Sequence, residues 1–420
     1  MTRKRTKRFS LIAALALAVT LMFSLTATAF AADYAEGTET DPAQAAITKI
    51  IRMPIGTDIP AATFTFEFEA IEVDGVPADD PQNPTNMPGI TNKSVTFTGS
   101  EPAVTGTPAG VDAYYLETGN IVAGITFPSA GIYKYHVTET ANTYTVGTAP
   151  PLVETMAYSL AEYDIEVWVN NNAAGTATFV QYIVAIRTIL DDGTPPAGGG
   201  EKVDPTPGTD PRATEEYSQM IFNNIYTKRV GGVDPEDPDD AVLTISKEVG
   251  GDFADMLKGF GFNVTVTKPA IGVDDPATYT GYKLNASGVV TGSPIVFSSG
   301  VAQTVTLAHG EKLVFLNLHV GSSFQATETV EPLYTPSYKL NTVSGPAYTS
   351  GAAYGMAASS YLREAGDIIE FTNTFSATGP MGILVDNLPY IAMIALAILC
   401  LVVYIAVKSR KNARYKVQQQ

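Results

Sequence analysis

An all-β fold built as sandwiches follows from three features of this 420-residue sequence. Apolar and polar residues alternate over short runs, and no long stretch carries a helical period. Clusters of turn-forming residues separate those runs. Glycine and proline number 36 and 27, high for a helical bundle and natural for a chain with many turns.

The runs themselves carry the prediction. Thr63-Phe64-Thr65-Phe66-Glu67-Phe68 sets three phenylalanines on one face of a strand. Asp164-Ile165-Glu166-Val167-Trp168-Val169 reads as another, and Phe260, Phe262, Val264 and Val266 repeat the pattern downstream. Asp79-Asp80-Pro81-Gln82-Asn83-Pro84 is a turn cluster of the kind that separates them. Length alone suggests two or three domains. Two stretches poor in core residues interrupt the body, 192–213 and 227–240, and either could be a domain boundary.

Both ends read as address labels. Arg3, Lys4, Arg5, Lys7 and Arg8 precede an apolar run over 11–30 that closes on Ala29-Phe30-Ala31, the layout of a secretory signal peptide spanning 1–31. An uncharged apolar run over 388–407 is long enough to cross a bilayer. Lys408, Arg410, Lys411, Arg414 and Lys416 follow it, which keeps the tail cytoplasmic and puts the body outside the cell.

Composition excludes several functions. The formal charge is −17, and residues 32–378 hold 16 cations against 42 acids, so nucleic acid is not an expected partner. The single Cys400, in the membrane run, rules out an intramolecular disulfide framework and any multi-cysteine metal site. His136, His309 and His319 show no partner spacing, and no metal or other cofactor is expected. No phosphate loop or nucleophile elbow is present, so a turnover enzyme is not expected. The acids gather in turn-rich runs such as 234–240, where a solvated role is the better reading.

Strand alternation also marks polar residues that fall in the apolar phase. Lys49 shares a phase with Ala45, Ile47 and Ile51; Glu139 with Tyr133, Tyr135 and Val137; Asn224 with Phe222 and Tyr226. The second half repeats the order: Lys247 among Leu243, Ile245 and Val249, Glu328 with Phe324 and Ala326, Asn373 between Phe371 and Phe375. Two Lys, Glu, Asn triples define two repeats, 43–226 and 242–376, with an acidic linker at 227–241 and a terminal segment at 377–420. The stretch 192–213 then becomes a loop inside the first repeat.

Such residues are costly to bury unless they satisfy one another. One reading is a buried ion pair with an amide beside it. The other is chemistry: a desolvated lysine is a neutral nucleophile, and a glutamic acid kept protonated can donate to the asparagine carbonyl and shuttle protons. Attack on the amide carbon would expel ammonia and leave a Lys–Asn isopeptide bond, once per domain, with folding supplying the proximity.

At these residues the sequence resembles the Gram-positive pilin isopeptide-linkage domains of backbone pilins and related wall-anchored proteins. The matching stretches are Ile47-Thr48-Lys49, Gly131-Ile132-Tyr133-Lys134-Tyr135-His136-Val137-Thr138-Glu139 and Phe222-Asn223-Asn224-Ile225-Tyr226. In the second repeat they are Ile245-Ser246-Lys247, Leu318-His319-Val320-Gly321 leading to Ala326-Thr327-Glu328, and Phe371-Thr372-Asn373-Thr374-Phe375. The resemblance implies two tandem Ig-like sandwiches whose first and last strands are joined by Lys49–Asn224 and Lys247–Asn373 bonds, with Glu139 and Glu328 as catalysts. Asn223 competes with Asn224 for the first bond, and phase favours Asn224.

The resemblance further implies a pilin or stalk subunit anchored at the wall, with sortase and identical or other pilin subunits as partners. The wall-sorting pattern Leu-Pro-x-Thr-Gly survives only as Thr378-Gly379, without its Leu and Pro, so a simple membrane anchor is the other reading. No convincing pilin-motif lysine is present; Lys202 and Lys228 read as surface lysines. An adhesin that binds a host ligand through insertions at 71–125 and 185–215 is the alternative function.

Overall fold

The structure is a computed structural model that describes residues 34–80, 87–104, 107–208, 216–275, 277–342, 347–351, 354–356, 358–375 and 388–417. The expected signal peptide at 1–31 and the sorting residues Thr378 and Gly379 lie outside them.

The alternating runs form strands with one face inward. In the Ala62–Val73 strand Phe64 and Phe66 are fully buried while Thr63 and Glu67 face solvent. In Phe260–Thr267 the residues Phe260, Phe262, Val264 and Val266 are buried in strict alternation. Period-2 patterning therefore has its usual cause, a sheet with one face packed against another.

Two tandem Ig-like β-sandwiches result, with separate hydrophobic cores. In the first, the Glu162–Asn171 strand lies between Thr178–Ile189 and Gly131–Glu139, and the sheet continues to Ala62–Val73. The opposing sheet runs in the order Val111–Glu117, Thr48–Pro54, Ile221–Val230, Leu152–Ala157, Thr148–Ala149. In the second sandwich, Lys312–Leu316, Ala241–Gly250, Asp367–Phe375 and Tyr334–Thr342 are successive neighbours in one sheet. They face a smaller sheet made of Gln303–Leu307, Phe260–Thr267, Ser323–Glu328 and Ser360–Tyr361.

One pairing stands out in this otherwise antiparallel architecture. The early strand Thr48–Pro54 and the late strand Ile221–Val230 are parallel neighbours, and so are Ala241–Gly250 and Asp367–Phe375. Parallel neighbours cannot be joined by a tight turn, so the intervening chain of each sandwich fills the gap. The registers match: Lys49 pairs with Phe222 and Ile51 with Asn224, while Lys247 pairs with Phe371 and Val249 with Asn373.

Three boundaries differ from the sequence reading. Residues 227–230, read as the start of a linker, complete the Ile221–Val230 strand, where Thr227 pairs with Thr155 and Val230 with Leu152. Lys228 is paired there, its Nζ lying 2.5 Å from a carboxylate oxygen of Glu364. Arg229 and Val230 also pair with His319 and Leu318 of the second sandwich, so the two units share a strip of sheet. The first unit begins before residue 43, since Ala35–Glu36 adds an edge strand beside Thr178–Ile189. The suspected binding insertions are partly sheet, holding the strands Val76–Pro77, Lys93–Phe97, Val111–Glu117 and Glu201–Val203.

The terminal apolar run forms a 30-residue helix, Leu388–Val417, of which Pro389–Lys411 is long and apolar enough to cross a membrane.

Candidate functional site

Lys49, Asn224, Lys247 and Asn373 are each inaccessible to solvent, at 0%. Alternation places them there: in both parallel pairs the lysine and the asparagine sit on the inward face, two residues apart in register. The glutamates come from the opposite sheets. Glu139 ends the Gly131–Glu139 strand beside Phe66, and Glu328 ends Ser323–Glu328 beside Phe262. Each triple therefore spans the two layers of its own sandwich.

In the first site Lys49 Nζ lies 2.6 Å from Glu139 Oε2, and Asn224 Nδ2 donates to Glu139 Oε1 at 2.9 Å. In the second, Lys247 Nζ lies 2.9 Å from Glu328 Oε1, and Asn373 Nδ2 donates to the same oxygen at 2.6 Å. Both glutamates have fully buried side chains. Sequence phase favoured Asn224 over Asn223. The structure turns Asn224 to Glu139, while the Asn223 backbone N–H donates to Asp191 Oδ1 at 2.8 Å.

Aromatic rings wall both sites in the same way. Lys49 Nζ sits 4.8 Å from the centroid of Phe64, and Lys247 Nζ 4.3 Å from that of Phe260. Phe66 packs on Phe222 and Phe262 on Phe371, each with centroids 5.0 Å apart. Rings exclude water and offer an ammonium only a weak cation–π contact, much less than its lost hydration.

The titration behaviour follows from that exclusion. Burial drags the Lys49 amine down to about 8, against the attraction of Glu139 and, more weakly, Asp191. Burial likewise pushes the Glu139 carboxyl up despite Lys49 and Asn224. The second site repeats both directions, with Lys247 lowered and Glu328 raised, each by burial first. Both pairs are thus biased toward a neutral amine beside a neutral acid, the state in which lysine is a nucleophile and glutamate has a proton to give.

The structure changes one detail of the chemistry. From sequence, the glutamic acid was expected to donate to the asparagine carbonyl. In both sites it instead accepts from the amide nitrogen, the group that would leave as ammonia. The carbonyl of Asn224 faces a different donor, the Ser159 backbone N–H at 2.7 Å. A backbone N–H can only donate, so this contact fixes which way the Asn224 amide points.

Neither Ser159 nor the phenylalanine walls were marked as site residues from the sequence. A signal for the walls existed: a Phe-x-Phe pair, Phe64 with Phe66 and Phe260 with Phe262, recurs between the lysine and the glutamate of each repeat. Of the two lysines weighed as polymerisation donors, Lys228 is engaged by Glu364 at 2.5 Å, and Lys202 is exposed on the short edge strand Glu201–Val203.

Comparison with known proteins adds the following. Residues 45–227 match the Spy0128-like isopeptide containing domain, and residues 241–373 match a domain of unknown function, DUF7601. No curated protein matches the chain. Among solved structures, the major pilin from Streptococcus pyogenes is similar at 19% identity, covering 79% of this chain and 99% of that one, with a TM-score of 0.32. The T3.2 major pilin of Streptococcus pyogenes serotype GAS13637 is similar at 18% identity, covering 82% and 100%, with a TM-score of 0.31. A pilus-presented adhesin, Spy0125 (Cpa), is similar at 16% identity over 51% of this chain and 35% of its own, with a TM-score of 0.23. At these scores the structural likenesses carry no functional argument, and the assignment rests on the sequence match. Residues 45–227 thus carry a Spy0128-like isopeptide containing domain, within a chain that is longer than twice that match.

Proposed function

We propose that this protein is a structural surface subunit, a pilin or stalk, whose two sandwiches crosslink themselves through Lys49–Asn224 and Lys247–Asn373 bonds. One observation carries the reading: in both units a buried glutamate lies within hydrogen-bonding reach of both a buried lysine and a buried asparagine, in the same parallel register. Glu139 and Glu328 act as proton shuttles. Each starts as the neutral acid, gives its proton to the departing amide nitrogen and is reprotonated from the attacking amine. The lysine Nζ–Cγ bond forms, the Cγ–Nδ2 bond breaks, and one ammonia leaves per domain. Because the product is a stable amide, each site works once and the protein is not a turnover enzyme.

The test is the intact mass of residues 32–378 made without any sortase. Two bonds remove two ammonias, a deficit of about 34 Da, since each attack on an amide expels about 17 Da. A folded protein with unshifted mass would reduce the six residues to buried pairing without chemistry.

Wall anchoring belongs to the same reading, with sortase joining the chain to the wall after Thr378 and the Leu388–Val417 helix holding it in the membrane until then. Thr378→Ala is expected to move the protein from the wall fraction of a sortase-bearing Gram-positive host to its membrane fraction. An unchanged distribution would leave the helix as the whole anchor. Pilus assembly would add identical or other pilin subunits as partners.

A further inference from the structure

The two sites differ at the amide oxygen, which their shared register does not foreshadow. In the first, the Asn224 carbonyl accepts from the Ser159 N–H at 2.7 Å. In the second, Asn373 Oδ1 is buried with no hydrogen-bond donor among the described residues.

Ser159 is tightly held. Its hydroxyl donates to Asp191 Oδ1 at 2.5 Å and accepts from the Ala161 N–H at 3.1 Å. The same Asp191 oxygen accepts the Asn223 N–H at 2.8 Å, and the Asp191 carbonyl accepts the Leu160 N–H at 3.1 Å. Asp191 thus ties the segment that carries Ser159 to the strand residue next to Asn224. Both partners of the Ser159–Asn224 contact are fixed by one carboxylate. Among the described residues the Ser159 N–H is the one hydrogen-bond donor to the amide oxygen, and Glu139 is turned to the amide nitrogen.

Resting on the crosslinking reading above, we propose that the Ser159 backbone N–H is the oxyanion donor of the first site and that Asp191 is the positioning residue that holds it there. As Lys49 Nζ bonds to Asn224 Cγ, the carbonyl π electrons move onto Oδ1, where the Ser159 N–H meets the developing negative charge. Glu139, which starts as the neutral acid, gives its proton to Nδ2. When the electrons return and the Cγ–Nδ2 bond breaks, Nδ2 leaves as ammonia and the Glu139 carboxylate takes the proton released by Nζ. The donor needs no movement during the reaction, the property that makes such groups effective. The second site closes without this device, so it serves as an internal control.

The experiment follows both bonds in one molecule. The full chain is made by cell-free translation, quenched at intervals and digested, and the peptides joined through Lys49–Asn224 and Lys247–Asn373 are quantified by mass spectrometry. Asp191→Ala is expected to slow the first bond at least about tenfold, less than the roughly 10²–10³ lost when such a donor is removed outright, because the N–H is loosened and not deleted. The second bond should keep its rate. Asp191→Asn, which retains an acceptor oxygen without the charge, is expected to recover most of the loss, a rescue that a bulk effect of charge would not give.

An Asp191→Ala chain that forms the first bond at the parental rate overturns the proposal. So does an Asp191→Asn chain as slow as Asp191→Ala. Should Asp191→Ala prevent the first sandwich from folding, Ser159→Ala decides, since it keeps the N–H and removes only the hydroxyl that Asp191 grips. A slowed first bond then supports the assignment, and an unchanged one rejects it. Absence of both joined peptides from the parental chain defeats the crosslinking reading itself, whereas both peptides forming with no sensitivity at Asp191 or Ser159 defeats only this one.

Discussion

Glu139→Gln is expected to leave the first sandwich open, halving the mass deficit to about 17 Da and lowering that unit's thermal midpoint by on the order of 10–20 °C. The mass follows from the loss of the proton shuttle, because glutamine can still accept from Asn224 but has no proton to exchange with Lys49. The midpoint follows from chain entropy. A bond between the first and last strands closes nearly the whole domain, and loops of more than about 100 residues give about 5 kcal/mol in the chain-entropy picture. The substitution also removes the carboxyl that the Lys49 amine, 0% exposed, contacts at 2.6 Å, which adds to the loss. Asn224→Ala separates the two contributions, since it removes the bond and keeps the carboxylate. Differential scanning calorimetry of both variants checks this, and midpoints equal to the parent's would contradict a structural role for the bond.

The second large effect is a pH dependence that only the unbonded protein should show. In Asn224→Ala the Lys49 amine persists, with its affinity for protons lowered to about 8 in the folded state by burial. The unfolded lysine holds its proton to about 10.4. Between those values the unfolded chain binds more protons, so folding stability rises with pH, by about 3 kcal/mol over the window. Below pH 8 the full cost of burying the ammonium is present. Glu139 acts in the opposite direction and in a lower window. Its carboxyl is raised by burial, so its folded form keeps a proton that the unfolded form has lost, and stability falls as pH climbs from 4.5 through its folded value. The bonded parent keeps the acid-side effect and loses the alkaline rise, because an amide does not titrate. Urea midpoints at pH 7.5 and 10 for the two proteins test it. An equal slope in both would mean that Lys49 is not a free amine in the variant or not consumed in the parent.

Much of this site was legible in the sequence because strand alternation is a strong filter. A lysine in phase with Ala45, Ile47 and Ile51 has few explanations, and the same intruders recur in the same order downstream; the fold brings each triple together. What stayed hidden obeys different rules. Ser159 contributes a backbone N–H, which every residue but proline has, so its side chain gives no warning. Asp191 lies at 191 in a run of Asp-Asp-Gly that reads as a turn, and only the folded chain brings it against Asn223. The end of the first domain was misplaced because Thr227, Lys228 and Arg229 look solvated, and their partners Thr155, Glu364 and His319 are remote in sequence.

The shared strip of sheet between the units has a consequence for how far the protein can lengthen. With both bonds formed, a tether drawn from its two ends runs through Lys49 to Asn224, along the chain to Lys247, and across to Asn373. About 300 residues inside the two closed loops drop out of that path, along with on the order of 1,000 Å of contour they would otherwise release. What can extend between the bonds is about 23 residues, roughly 80 Å when straight. That segment is itself fastened by the pairing of Arg229 and Val230 with His319 and Leu318 and by the Lys228–Glu364 contact. Crosslinked in this way, the protein would behave as a nearly inextensible cord with one short fuse at its middle, a strip whose Val230 and Leu318 also belong to the second core.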